Sequence, residues 1–337
     1  LKAVLVEGTS SRKEAPKPSQ ALQCASAMIK YNTGHLGLGF ILRCKGSVFP
    51  KAIFMGLPNA LLALLLHRYL RHDHEDVEFL NMHGVDTLWT GYTSVLGFLI
   101  VFRTSQAYGR FWSGCTATHQ MRAEWVDTAS LLMSFIRVSK NDRAKIAEFQ
   151  GTLVRLFSML HAVALAELEE INHDAAHLDD ILGFRYPLID PEGIDPATLR
   201  QIKMCGSKVE LLYSWIQMLI TENIDAGVLS LAPPLQTRVF QSLSNGMKSF
   251  FDAIKITVCP FPFPYTQTCD FLLVIHWCAA PLVITQWVSN AYLAGIFVFI
   301  QVFTLWALNN IACEIQNPFG KDANDLDGFS MQEEMNR

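Results

Sequence analysis

Charge is scarce in this sequence. Asp, Glu, Lys and Arg supply 17% of the 337 residues, against about a quarter in ordinary soluble domains. Half the residues are hydrophobic and the mean hydropathy is +0.22, so the class that fits is a membrane protein. The formal net charge is only −4 and no basic tract occurs, which argues against nucleic acid as a partner. Eight cysteines are present without a CxxC pair, so buried free thiols fit better than a disulfide framework or a zinc site. HExxH and GxSxG are absent. The glycine-rich TGHLGLGF at 33–40 lacks the GKS/T ending of a phosphate loop. With no assembled catalytic site, the chain reads as a non-enzyme that requires no cofactor. His72-Asp73-His74 and His173 with His177 have metal-ligand spacing. Solvated histidines are the favoured account of them, and a membrane-bound metal or haem enzyme is a distant third reading.

What is there is apolar and helical. Four spans approach the ~20 residues that a bilayer needs: Ala52 to Leu66 (extending to Tyr69), Val85 to Phe102, Phe271 to Val288 and Ala291 to Ile311. Pro58 and Pro281 lie inside spans, where a neighbour or water must satisfy the freed carbonyl. Only Ser289-Asn290 separate the last two spans, which predicts a tight hairpin. Between the second and third spans, Arg103 to about Pro234 carries charges throughout and repeated helical periodicity. The pattern is strongest at Ile146, Phe149, Leu153, Leu156, Phe157 and Leu160. Cys259 to Tyr265 (CPFPFPY) is expected to be extended.

The predicted organisation is a 1–45 arm and interfacial helix, 46–102 with the first two spans, a 103–257 extramembrane helical region, the 258–313 hairpin and a 314–337 acidic turn and tail. The chain begins at Leu1 rather than Met, which reads as a trimmed or processed start. Gly8 to Gln20 reads as the remnant of a targeting segment or as a plain flexible arm. Arg43, Lys45 and Lys51, Arg103 and Arg110, and Lys248 and Lys255 flank the spans on one side. The positive-inside rule puts that side, both termini and the helical middle on a cytoplasm-like face.

The second span is the least greasy, with Thr87, Thr90, Thr93 and Ser94 inside it. Such hydroxyls face a water-filled cavity or bond to the helix's own carbonyls, and the cavity reading is favoured. Ser94, Phe98 and Phe102 recur every fourth residue and share one helix face, which also carries Gly91. That face is expected to line a narrow apolar ion pathway.

Five pieces occur in order: Gly46–Pro50 (GSVFP), Leu96–Trp112 with FRTSxxYxRFW, Pro233–Met247 (PPLQTRVFQSLSNGM), Pro260–Gln267 (PFPFPYTQ) and Asn317–Leu326 (NPFGKDANDL). This order resembles the bestrophin family of pentameric ion channels, its plant, algal and bacterial branch more than the animal one. The pieces frame roughly Gly46 to Leu326.

The resemblance implies an all-α membrane protein. Four transmembrane helices per subunit and a large cytoplasmic-side helical region assemble as a homopentamer around a central pore, embedded in membrane lipid. It implies a pore neck of three side chains one helical turn apart on the second helix, which map onto Ser94, Phe98 and Phe102. Ser94 departs from the family's apolar pattern, leaving the constriction to the two phenylalanines. A second aperture falls near Pro233, Pro234 or Leu235, with Leu235 named. The acidic cluster with which animal bestrophins bind calcium maps onto Asn317, Asp322 and Asp325. Lys321 and Ala323 thin it, and a capping turn is the competing reading.

Arg103 at the inner end of the neck attracts anions or serves as a surface anchor or salt-bridge partner. The expected function is an anion channel passing chloride and bicarbonate as permeant anions. A cation-selective homologue and a non-conducting structural membrane subunit are the alternatives. The branch implies a multi-pass protein of the thylakoid or another chloroplast membrane, with the plasma membrane as the other option.

Overall fold

A computed structural model describes residue 29 and residues 43–72, 85–170, 186–193, 195–230, 232–320 and 322–337. Apart from residue 29, the expected arm and interfacial helix lie outside them up to residue 42, as do His74, His173 and His177. The described residues form helices and connecting loops, with no strand among them. In chain order the helices are α1 (Phe49–His72), α2 (Val85–Ile136), α3 (Arg143–Glu170), α4 (Pro196–Met204), α5 (Lys208–Asp225), α6 (Pro233–Val258), α7 (Phe263–Trp287), α8 (Ala291–Ile315) and α9 (Gly328–Asn336). A 3-10 turn, Pro191–Gly193, precedes α4. The described residues are all-α, and four of the helices, α1, α3, α7 and α8, are long and apolar enough to cross a membrane.

The chain divides into two compact units. One comprises Ile29–Phe111 and Pro260–Asn317, and the other contains Trp112–Cys259 and Pro318–Arg337. The 52-residue α2 contributes to both. It runs from the second apolar span straight through Trp125, because no proline or glycine pair breaks it after Arg103.

In the first unit, α1, the first half of α2, α7 and α8 pack together. A Cβ on Gly56 would stand 3.2 Å from the Phe299 ring, and one on Gly295 would stand 3.0 Å from Leu64 Cγ. Small residues therefore let α1 and α8 approach closely, as they do between helices in lipid. α7 begins at Phe263, earlier than expected, and Phe263 to Tyr265 are helical rather than extended. The reason is positional: Pro264 sits in the first turn, where the missing N–H has no intrahelical partner to lose. The hairpin between α7 and α8 is tight, and Asn290 Oδ1 caps α8 by accepting from the Tyr292 N–H at 2.9 Å.

Pro281 cannot donate to the carbonyl four residues back, that of Trp277. The Asn59 side chain on α1 supplies the missing donor, with Nδ2 2.7 Å from that oxygen. In return the Trp277 indole Nε1 donates to the Met55 carbonyl at 3.0 Å. Asn59 is 1% exposed.

In the second unit α3 is the central helix. By length and composition Arg143–Glu169 could cross a membrane, but 83% of its apolar window is already buried, against 22%, 44% and 28% in α1, α7 and α8. Phe149, Leu153, Phe157 and Leu160 are buried as expected, while Ile146 and Leu156 are half-buried. Beyond the 3-10 turn, the helical stretch from Pro196 to Asp225 is two helices, parted at Cys205–Ser207.

The C-terminal α9 is held on α3 by buried polar groups. Gln332 Nε2 donates to the Ser158 carbonyl at 2.9 Å, the Ser158 hydroxyl donates to Asn336 Oδ1 at 2.8 Å, and Asn336 Nδ2 donates to the Pro187 carbonyl at 2.6 Å. His161 Nδ1 lies 2.6 Å from Gln332 Oε1. An amide oxygen only accepts, so His161 carries its proton on Nδ1. Burial then pushes its pKa down from 6.5 to about 4.

Two outcomes follow for stability. Asn59→Leu leaves the Trp277 carbonyl bare in an apolar bundle and should lower the thermal midpoint in detergent by the equivalent of about 1–3 kcal/mol. Conservation of the midpoint would show that water replaces the amide. For His161, whose folded pKa is depressed, only the unfolded chain binds the proton as pH falls below 6.5. Stability should therefore decline from about pH 6.5 to about pH 4 and level off below. His161→Gln should flatten that part of a pH–midpoint curve.

Candidate pore-lining site

The first half of α2 has two contrasting faces. Trp89, Leu96, Ile100, Arg103 and Ala107 are buried against the rest of the unit. The other side carries Ser94, Val95, Phe98, Val101 and Phe102, all exposed. Phe98 is 69% exposed and Phe102 43%. A Cβ on Gly91, Gly97 or Gly109 would meet nothing within 4 Å, so this strip is uncovered along its length.

Three of the four hydroxyls named in the span bond to the helix itself: Thr90 to the Asp86 carbonyl, Thr93 to Trp89 and Ser94 to Thr90, at 2.7–2.9 Å. The donor of each hydroxyl is thereby used within α2. Ser94 remains exposed beside its bond.

Aromatic rings continue the strip. The Phe98 and Phe102 centroids are 6.5 Å apart with planes 24° from parallel. Phe102 meets Tyr265 at 5.6 Å, and Tyr265 meets Phe261 at 5.6 Å. The Tyr265 hydroxyl donates to the Leu99 carbonyl at 2.9 Å. The PFPFPY motif is thus a prop against α2, Tyr265 tilted against Phe102 and Phe261 edge-on to Tyr265. One turn above Leu96, the Tyr92 hydroxyl donates to the Leu272 carbonyl, and the buried His276 ring stacks on Trp89 at 5.2 Å.

Arg103 is turned away from the strip and is 2% exposed. Its Nη1 donates to Asp270 Oδ1 at 2.8 Å and to Asn309 Oδ1 at 2.6 Å, and its Nη2 contacts Cys313 Sγ at 3.3 Å. Of the roles open to it in the sequence, this geometry is that of a salt-bridge partner. Sequence reasoning did not single out Asp270, Asn309 or Cys313. A signal was present: Asp270 is the only acidic residue in α7, and an ionisable group within a span has functional or structural weight.

The other predicted residues lie in the second unit or at its edge. Leu235 stands in the first turn of α6 and is 43% exposed. Asn317 closes the first unit, and Asp322 and Asp325 belong to the second. Asp325 is buried, and its Oδ2 accepts from the Asp322 N–H at 2.8 Å. The Leu326 N–H returns to the Pro318 carbonyl at 3.0 Å. Pro318 and Phe319 rest on α2 at Gly114, where a Cβ would stand 2.6 Å from Pro318 Cγ. Calcium takes six to eight oxygens. Here one of two carboxylates is engaged inside the turn, and no group of three His, Cys, Asp or Glu side chains suited to a metal occurs among the described residues. Asp325 thus caps the turn from within.

The turn is tight enough to test. A Cβ on Gly320 would stand 2.5 Å from Asp325 Oδ2, so Gly320→Ala should destabilise the protein by about 1–3 kcal/mol. Chelation of calcium should leave the wild-type thermal midpoint in place. A large drop on chelation would assign a cation to the turn.

Comparison with known proteins now bears on this geometry. The model of the bacterial and fungal bestrophin family matches residues 31–337. A voltage-dependent anion channel-forming protein of Nostoc sp. is 27% identical over 239 residues, 69% of each chain. Its counterpart from Synechocystis sp. is 26% identical over 236 residues, again 69% of each. Among solved structures, a variant of a bacterial bestrophin homologue from Klebsiella pneumoniae superposes with a TM-score of 0.69 at 15% identity, covering 86% of this chain and 97% of that one. A crystal structure described as a membrane protein gives 0.69 at 16% identity, covering 85% and 96%.

Proposed function

This chain belongs to the bestrophin family, and on that premise we propose that it forms an anion channel, a homopentamer whose neck is ringed by Phe98 and Phe102. The observation that carries the reading is the exposed strip on α2: two stacked phenylalanines, one helical turn apart, with the Tyr265 ring beside the second. One helix face cannot enclose a pathway. Several copies arranged about an axis can, and they would cover the strip that a single chain leaves bare. The anion channel-forming relatives support the ion class.

The four crossings in this reading are α1, the first half of α2, α7 and α8. α3 is excluded because its apolar surface is already covered within its own unit. Ser94 forms the outer, wetter ring, and Leu235 borders a second aperture at the inner exit. Chloride and bicarbonate are the proposed permeant ions. A phenylalanine edge carries partial positive charge, and an apolar ring passes most readily an ion that sheds water at little cost. A monovalent anion meets that condition better than a small hard cation. The thylakoid or another chloroplast membrane is the proposed location, on the motif resemblance to the plant, algal and bacterial branch, with the plasma membrane as the other option.

Reconstitution into planar bilayers tests the function. Asymmetric chloride should give a reversal potential near the chloride equilibrium value. A potential near that of the cation would transfer the reading to a cation channel, and no current from a five-fold particle would reduce the protein to a structural subunit. In the same assay Phe98→Ala with Phe102→Ala should raise conductance and bring the permeabilities of large and small anions closer together. Unchanged permeability ratios would remove the neck from these residues.

A further inference from the structure

We propose that the Arg103–Asp270 ion pair, braced by Asn309 and Cys313, is a rotational lock on α2 that sets where Phe98 and Phe102 point, and that Arg103 is a positioning residue rather than a charge offered to ions. The inference rests on the neck reading above.

Consecutive residues on an α-helix are about 100° apart around its axis. Arg103 follows Phe102 directly, so anchoring one side chain inward fixes the azimuth of the other. The anchor is a closed polar triangle. Arg103 Nη1 donates to Asp270 on α7 and to Asn309 on α8, and Asn309 Nδ2 donates to the same Asp270 oxygen at 3.2 Å. Nη2 reaches Cys313, one turn further along α8. A single guanidinium therefore ties the neck helix to two neighbours at once.

The fork geometry of arginine is what allows this; an ammonium would satisfy one partner at a time. Because Arg103 is 2% exposed, turning α2 would strip a buried cation of its partners. Further ties also point to α7 or α8: the Tyr265 hydroxyl donates to the Leu99 carbonyl, and the Arg110 Nε donates to the Gln316 carbonyl at the end of α8. Asp270 balances the charge of Arg103 at 2.8 Å. What remains for a passing ion is a neutral pair behind the strip, not a ring of positive charge.

Lock and attraction predict opposite results for conservative changes. Arg103→Lys keeps the charge and loses the fork. Asp270→Asn keeps the shape and unmasks the cation. Each variant, purified as the full assembly with the elution volume of the wild type, is compared for gluconate-to-chloride permeability ratio. The lock predicts a change of more than about twofold in both, in the same direction, with the double variant no worse than either single one, as expected of residues acting as one unit. A ratio preserved in Arg103→Lys, with higher chloride conductance in Asp270→Asn, would overturn the lock in favour of attraction. Wild-type ratios in both would overturn it outright. Should neither variant assemble, Asn309→Ala removes the brace and keeps the ion pair, and the same criterion applies.

A second readout needs no current. Phe98→Cys is alkylated in lipid vesicles by a charged maleimide, and the labelled peptide is quantified by mass spectrometry. Adding Asp270→Asn should change the labelling rate by more than about twofold, and an unchanged rate counts against the lock. If the wild type carries no current, the channel reading has failed, while the labelling result still decides whether Arg103 and Asp270 position the helix.

Discussion

A guanidinium withdrawn from water in an apolar bundle demands partners, and Arg103 finds them on two other helices at the level of Phe102. Burying such a charge without compensation is prohibitive, and with compensation it becomes a constraint on everything attached to it. α2 cannot slide or turn past α7 and α8 without breaking that constellation. The side that remains uncovered, Ser94–Phe98–Phe102, is therefore defined by what the opposite side must bury. The position of the proposed neck is a consequence of polar satisfaction as much as of hydrophobic packing.

The same requirement recurs wherever the fold departs from regularity. Pro281 frees a carbonyl inside α7, and Asn59 closes it from α1. In the second unit Ser158, Gln332 and Asn336 satisfy one another while fastening α9 to α3. The NPFG turn is closed by Asp325 and seated where Gly114 lets Pro318 approach α2. Each device joins elements distant in sequence. The apolar surfaces fill the space between helices, and these polar contacts select which arrangement of the helices fills it.

Much of this was legible in one dimension. Helices appear where apolar residues recur at helical spacing, and the hairpin at Ser289-Asn290 follows from the break between two apolar runs. The motif order already pointed to the family whose model matches 31–337. Local rules failed in identifiable places. CPFPFPY read as extended because alternating prolines disfavour helix, yet Pro264 falls in a first turn where that objection lapses. α3 is apolar enough for a membrane span, and only its burial against neighbours separates it from one. Arg103 read as an ion attractor, an anchor or a salt-bridge partner, with no way to choose among named partners, since these lie 167 and 206 residues further along the chain.

By itself, then, the sequence determined the helices and the face on which Ser94, Phe98 and Phe102 fall, because both depend on periods of three to four residues and the energetics of neighbours in the chain. It also determined that polar groups inside the spans would require partners. Which partners they found was decided only by tertiary structure: Asp270, Asn309 and Cys313 for Arg103, Asn59 for the Trp277 carbonyl, Gln332 for His161. Hydrogen bonds act over about 3 Å, and no local pattern in the chain records which distant residues will be brought that close.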